Sequence, residues 1–441
     1  MGVKLKNILK KKLKDHREQK IYYLTATIHV IKYFLYPIYR KNRCFIDPSN
    51  DFFYKYRKLA NYFAIPLLII GRYFEKKKIF ISINNNCNSS TGHIYSEIDQ
   101  LKRMQLLIDK YSCSQIWFTT SKKEILGETQ NIFESKNFHV LIGGIKRLVL
   151  IFVAIKYPSI SIDASLSTHN CIVGTDHSPK IVYHTKAKQQ AQLISKSPKF
   201  YPNVDTLNYY NDEKYHLMQG LNILKKYMVV QIKTEKVNGT LELLNPDTLL
   251  NSIKYFQDKN YQIVFAGREA CPKIFLDNKV IDYANSKYAS PLNDFLLIGH
   301  CSLVIASASG FCMIPEKFDK PLLTINSIHG IQYFGRRTIL LPTLLTRSTE
   351  IFNAKIQHKY LCTYGVDCGY DIFDDLHILH MPNSQEILMA AKELESMLSD
   401  QVPHLTLLQK TIRDNDGCPL FSDGLSRISD HYLSKHINFF E

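Results

Sequence analysis

VIASASGFCMIPEKFDKPLLTIN, residues 304–326, reads as strand, turn, short helix and strand. The apolar run 302–307 stops at Ser307, Ser309 and Gly310, residues with almost no side-chain bulk. A helix-like segment, FCMIPEKF (311–318), follows, and Lys320-Pro321 introduces a second apolar run, PLLTIN (321–326). Small residues where a strand hands over to a helix let something come close to the backbone. A helix start offers unpaired N–H groups and roughly half a positive charge, so the expected guest is an anion, first of all a phosphate. The bland reading is a tight turn that uses small residues only for packing.

The same alternation extends on both sides. Toward the N-terminus, YMVVQIK (227–233), YQIVFAG (261–267) and the short KVIDYA (279–284) read as strands. Between them NPDTLLNSIKYFQDKN (245–260) and SPLNDFLLIGHC (290–301) read as helices, the first with Pro246 at a first-turn position. Toward the C-terminus, 383–400 closes as a helix, with Asn383 and Glu386 placed like a capping box. A polar, Tyr/Asn/Asp-rich stretch at 201–214 interrupts the pattern and is expected to be a linker. Before it, KKIFISI (77–83), SQIWFTT (114–120), FHVLIG (138–143) and NCIVG (170–174) read as strands, and 93–111 carries a helical period. Strands alternating with helices imply parallel sheets with crossovers.

The expected fold class is therefore α/β, with two doubly wound Rossmann-like domains facing a cleft. The expected boundaries are a basic tail at 1–20, an N-terminal domain at 21–205, a C-terminal domain at 206–400 and an extension at 401–441. A chain of 441 residues is long enough for two such cores.

Charge and cysteine usage narrow the function. Lys plus Arg outnumber Asp plus Glu by 56 to 40, a net charge of +16. That excess suits nucleic acid, anionic lipid or phosphorylated small molecules. No zinc-finger spacing, RNA-recognition signature or basic zipper is present, so nucleic acid is not the expected partner. Residues 1–20 hold eight Lys or Arg against two acids, with Leu5, Ile8, Leu9 and Leu13 at helical spacing. A basic amphipathic helix of this kind suits an anionic membrane face, each cation adding roughly 1 kcal/mol, and the bland reading is a solvated terminal helix. Residues 21–39 and 62–74 are the most apolar stretches, but neither is an uninterrupted span, and 62–74 is expected in the core. Ten scattered cysteines without a CxxC pair fit a reduced cytoplasmic chain.

In open parallel sheets ligands bind outside the carboxyl ends of the strands. Three strand ends then supply candidate binding residues: Lys233 after YMVVQIK, Gly267-Arg268 after YQIVFAG, and Ser307, Ser309, Gly310 and Phe311 at the opening turn. In the first domain the matching junction is STGHIYSEIDQL (90–101), opened by Gly92. His93 and Glu97 are four apart, on one helical face, and form a candidate general base. Asp99 lies off that face and is the third candidate, with a structural role as its alternative. One DxD spacing, Asp414-Asn415-Asp416, has no strand before it and reads as a polar turn, so no metal or other cofactor is called for. Neither GxxxxGK[ST] nor an early GxGxxG occurs, which argues against a nucleotide triphosphatase and a dehydrogenase.

These segments together, GHIYSEID, the run from VVQIKTE to FAGRE, and above all 279–326, resemble a family of bacterial glycosyltransferases from lipopolysaccharide and capsule gene clusters. The resemblance spans roughly residues 78–400 and implies a two-domain GT-B-like enzyme. It implies a nucleotide-sugar donor whose diphosphate sits at Ser309-Gly310, a lipid-linked glycan acceptor, and a peripheral place on the inner face of the cytoplasmic membrane. Its early motif maps onto Gly92, His93, Glu97 and Asp99. Two departures stand out. Gln231-Ile232-Lys233 replaces a His-x-Arg strand end, and Phe265-Ala266-Gly267-Arg268 replaces Arg-x-Gly-Asp, moving the positive charge across the glycine. The rivals are a fucosyltransferase-like enzyme, an inactive scaffold of the same fold and a basic nucleic-acid-binding protein.

Overall fold

The computed structural model describes residues 63–83, 94–95, 98–99, 101–102, 115–120, 126, 128–156, 210–234, 244–327, 335–347, 350–351, 377–399, 401–414 and 426–440. The expectations for 1–20, 21–39 and 170–174 lie outside them.

The first unit runs α1 (Ala64–Lys76), β1 (Ile79–Ile83), β2 (Gln115–Thr120), α2 (Gln130–Phe133), β3 (Phe138–Ile142) and α3 (Gly144–Lys156). Its three strands form a parallel sheet in the order β1-β2-β3. Side chains alternate across this sheet because the strand period is two. Phe80, Ile116, Phe118, Phe138 and Val140 face the larger core, together with the helical residues Ile94, Tyr95, Ile98 and Leu101. Ile79, Ile81, Trp117 and Leu141 face the other way, onto Leu67 and Phe74 of α1 and Leu150, Val153 and Ala154 of α3.

The second unit begins with α4 (Asn211–Gly220), whose first turn takes up the end of the expected linker. It continues through β4 (Tyr227–Gln231), α5 (Leu250–Asp258), β5 (Gln262–Phe265), α6 (Lys273–Asp277), β6 (Ile281–Asp282) and α7 (Pro291–His300). Then come β7 (Leu303–Ser307), α8 (Met313–Lys317), β8 (Leu322–Ser327) and β9 (Thr338–Pro342). The strands β10 (Leu344–Arg347), β11 (Glu350–Ile351) and β12 (His377–His380) make a small antiparallel sheet. The chain closes with α9 (Ser384–Glu395), α10 (Leu407–Asp414), β13 (Arg427–Ile428), α11 (Asp430–Lys435) and α12 (Ile437–Phe440).

The main sheet has seven parallel strands in the order β13-β9-β8-β7-β4-β5-β6. From β4 the chain winds outward through β5 and β6, then returns to β7 on the far side of β4 and winds out the other way. This is the doubly wound order, and its direction reverses between β4 and β7. Every residue of β4 and β7 is buried, as expected for central strands covered on both faces. The helix starts follow the sequence signals. Asn245 accepts the N–H of Asp247, Ser290 accepts that of Asn293, and Asn383 and Glu386 form a reciprocal capping box.

Two expectations change. The stretch 401–441, read as an extension, supplies the edge strand β13, and Tyr432 Oη donates to Pro342 O at 2.8 Å. Of the stretch 62–74, expected in the core, residues 64–74 are helical and only half interior. Leu67, Gly71 and Phe74 are buried, while Ile65, Leu68, Ile69 and Tyr73 are exposed. Among the described residues no helix is long and apolar enough to cross a membrane.

Candidate functional site

The reversal between β4 and β7 is where an open sheet leaves a crevice, because the connections on either side depart in opposite directions. Three strand ends meet there. Ser309 Oγ donates to Gln231 Oε1 at 3.0 Å, joining the turn after β7 to the last residue of β4. Lys233 N–H donates to Ser307 Oγ at 3.0 Å, a second tie across the same reversal. Gly267, after β5, has φ +120°, and a Cβ placed on it would stand 3.1 Å from Gln231 Cγ. Any larger residue would combine a disfavoured backbone with a clash against the side chain that holds Ser309. Two residues further on, Glu269 accepts both the N–H and the hydroxyl of Thr234, at 2.6 and 2.9 Å, and so fastens the β4 and β5 loops together.

The sequence-derived binding residues divide accordingly. Ser309, Gly310 and Phe311 are half-buried at the turn, and Phe311 packs against the core. Lys233 is half-buried and Arg268 is exposed. Ser307 is fully buried, so its hydroxyl does not face the crevice. It fixes the backbone of Lys233 instead, because the last residue of a central strand points into the layer beneath. The helix expected after the turn is also shorter than its sequence suggests. It opens as a 3-10 turn, Gly310–Cys312, before α8, and Ser309 makes no side-chain cap. A start of this kind offers oriented N–H groups rather than a long dipole.

Arg268 reaches toward the seam between the two units. Tyr95, from the first unit, stacks on Phe133 at 5.3 Å and meets Phe295 of α7 edge-on at 4.6 Å. The positive charge of Arg268 opposes the upward shift that burial gives the Tyr95 hydroxyl. Beside it, Asp294 of α7 accepts Tyr283 Oη at 2.8 Å. Burial pushes the Asp294 carboxyl up to about 6, although the Tyr283 hydrogen bond and Arg268 both favour its ionised form. The negative charge of Glu128 adds to the upward push.

His93 and Glu97 lie outside the described residues, as does Gly92. Their helical neighbours Ile94, Tyr95, Ile98 and Leu101 are buried in the core that both units share. Asp99 is buried as well, and Lys317 Nζ, at the end of α8, donates to its Oδ2 at 2.9 Å. That pairing is what the structural alternative for Asp99 expects, and it ties the helical residues Ile98-Asp99 to the short helix that follows Ser309-Gly310. Nearby, burial lowers the Lys102 ammonium to about 8, with Asp99 opposing the shift. Asp414 ends α10, so a helix precedes the DxD spacing, and its other residues are outside the described set.

Gln231, Glu269, Asp294 and Lys317 were not among the sequence-derived candidates. Gln231 had a signal, since it stands where the resembled family carries the histidine of its strand-end motif. The other three show themselves only through contacts distant in sequence.

No family model matches the chain, and no curated protein matches it. Solved structures do. A glycosyl transferase of family 9 from Veillonella parvula aligns over 72% of this chain and 97% of its own, at 12% identity and a TM-score of 0.44. The Escherichia coli ADP-heptose lipopolysaccharide heptosyltransferase II aligns over 60% and 90%, at 14% identity and a TM-score of 0.37. A UDP-GlcNAc 2-epimerase from Neisseria meningitidis aligns over 56% and 82%, at 11% identity and a TM-score of 0.31. Likeness at this level carries no argument by itself, and function has to come from the residues at the site.

Proposed function

We propose that the protein is a glycosyltransferase that moves a sugar from a nucleotide-diphosphate donor to a hydroxyl of a lipid-linked surface glycan, of the lipopolysaccharide O-antigen or capsule kind, without a metal. The observation that carries this reading is the convergence of Gln231, Gly267 and Ser309 at the sheet reversal, with Lys233 and Arg268 on the adjoining strand ends. A side-chain-free approach to the backbone, oriented N–H groups and two cations suit a diphosphate. In the reaction the bond between the anomeric carbon and the diphosphate breaks, and a bond from that carbon to the acceptor oxygen forms. Lys233, Arg268 and the N–H groups of the Gly310 turn stabilise the departing charge, the usual task of a preorganised anion site. The acceptor proton passes to Glu97 or His93. Asp99 and Lys317 hold the base-bearing helix against the donor turn. The basic residues 1–20 keep the enzyme at the inner face of the cytoplasmic membrane, where a lipid-linked acceptor is found.

Release of nucleoside diphosphate tests this reading. ADP-heptose and UDP-N-acetylglucosamine, named with the similar structures, head the donor panel. With a lipid-linked glycan extract present, one donor should be consumed at a rate that rises with extract and survives chelation of divalent ions. No consumption with any donor rejects the proposal. Consumption abolished by chelation rejects its metal-free form.

A further inference from the structure

Helix α1 is apolar on two faces. Leu67, Ile70 and Phe74, three and four apart, turn inward onto β1 and α3. Ile65, Leu68, Ile69 and Tyr73 repeat the same spacing on the other side and are exposed, Ile65 at 74% and Ile69 at 64%. Phe63, just before the helix, is exposed too, and α3, packed beside α1, adds Ile145 at 79% and Val149. The topology places these residues at one end. α1 turns back into β1 within two residues, so it runs antiparallel to that strand. α3 leaves β3 directly and runs antiparallel to it. Because β1 and β3 point the same way, the starts of both helices lie at the carboxyl end of the small sheet. The chain leaves β1 at this end on its way to His93 and Glu97. Scattered apolar residues on a surface need no explanation, but a contiguous set on two packed helices does.

Charge selects what covers this face. The stretches 63–78 and 144–156 hold seven Lys or Arg and a single acid, Glu75. Arg72 and Lys146 are exposed within a turn of the apolar set, and Lys76, Lys77 and Lys78 are exposed at the other end of α1. A second copy would bring the same cations to the contact, and the whole chain carries +16. Apolar side chains fringed with cations match a layer of acyl carbon under anionic headgroups.

We propose that the outer face of α1 and the start of α3 form a docking surface for an anionic lipid bilayer, with Ile65, Ile69 and Ile145 entering the headgroup–acyl boundary. It is a second contact, separate from the basic residues 1–20, and it sets the acceptor side of the cleft against the membrane. Only that purpose rests on the proposed transfer to a lipid-linked acceptor. Vesicle binding is measured without donor or acceptor, so its failure leaves nucleotide-sugar binding untouched.

The test is co-sedimentation of the full chain with vesicles of phosphatidylcholine alone and of phosphatidylcholine mixed with phosphatidylglycerol. Wild type should sediment with the mixed vesicles only. The double variant Ile65→Asp/Ile69→Asp should lower the partition at least tenfold with its melting temperature unchanged, since both positions are exposed. Ile69→Trp keeps the face apolar and adds a fluorophore to a chain whose one tryptophan is Trp117. Its emission should shift to the blue when mixed vesicles are added. Wild-type partition by the aspartate variant, or no blue shift in Ile69→Trp, overturns the proposal and leaves residues 1–20 as the membrane contact. A wild-type dimer that the aspartates dissociate overturns it in favour of a second copy. A large fall in melting temperature overturns it in favour of cover by the chain's own segment, such as 21–39.

Discussion

The seven-stranded and three-stranded sheets are built from the same strand-and-helix alternation, yet they treat their carboxyl ends differently. At the end of the large sheet the polar groups are spent on one another. Ser309 holds Gln231, Ser307 holds the backbone of Lys233, and Glu269 holds Thr234. The result is a set of strand ends tied to one another across the sheet reversal. At the end of the small sheet the described helices present Ile65, Ile69 and Ile145 to solvent. One end suits a small charged ligand held in a single pose, the other a broad apolar contact. Joining them are an aromatic cluster around Phe295 and the Asp99–Lys317 ion pair.

The seam is where this contrast breaks most readily. Lys317→Met would take from the buried Asp99 carboxylate the ammonium that donates to it, a loss of about 3–5 kcal/mol. Denaturant unfolding should show that loss. Pairing it with Asp99→Leu should restore most of the stability while leaving donor turnover impaired, because packing is recovered but the fixed placement of the two helices is not. Full recovery of turnover in the double variant would reduce the pair to ordinary packing.

Asp294 sharpens the comparison through pH. Its carboxyl ionises at about 6 in the fold against 3.8 ordinarily, with burial as the main cause. Between those values the folded state keeps a proton that the unfolded chain has lost. Stability therefore falls as pH rises through the window, and the penalty, on the order of 3 kcal/mol, is complete above it. Asp294→Asn keeps an acceptor for Tyr283 and removes the charge. It should be more stable than wild type at pH 8 and indistinguishable from it near pH 4. A constant difference at both would show that the carboxyl is not titrating there.

Smaller effects test the large sheet's crevice itself. Gly267→Ala should cost about 1–3 kcal/mol from its backbone conformation and displace Gln231, weakening donor binding. Arg268→Ala, at an exposed position, should leave the melting temperature alone and lower turnover about tenfold, or roughly 1.4 kcal/mol in the barrier. Unchanged turnover would remove Arg268 from the mechanism.

The pattern of the large sheet was legible where burial on both faces makes a strand a continuous apolar run, as in YMVVQ and LVIAS. The helix starts at Asn245-Pro246 and Asn383 were legible because their chemistry is local. β9 was not, since TILLP is a short run ending in proline, and β13 is only two residues long. Ser307 and Ser309 look alike in sequence, but the strand ends at the buried Ser307, while Ser309, two residues on, is half-buried in the turn. Lys317 could not have been paired with Asp99 from the chain alone, because 218 residues separate them. The outward face of α1 was misread because a helix apolar all round looks like core until its neighbours are known.

The central claim is that the crevice between β4 and β7 holds the diphosphate of a nucleotide sugar. Thermal-shift titration with a nucleotide-sugar panel, run on wild type and on Gly267→Ala, measures it most directly. The account predicts that at least one donor raises the wild-type melting temperature in a saturable way, by the linkage of binding to folding, and that the variant needs far more of it for the same rise. A panel with no effect on wild type, or an equal shift at equal concentration in both proteins, would contradict it.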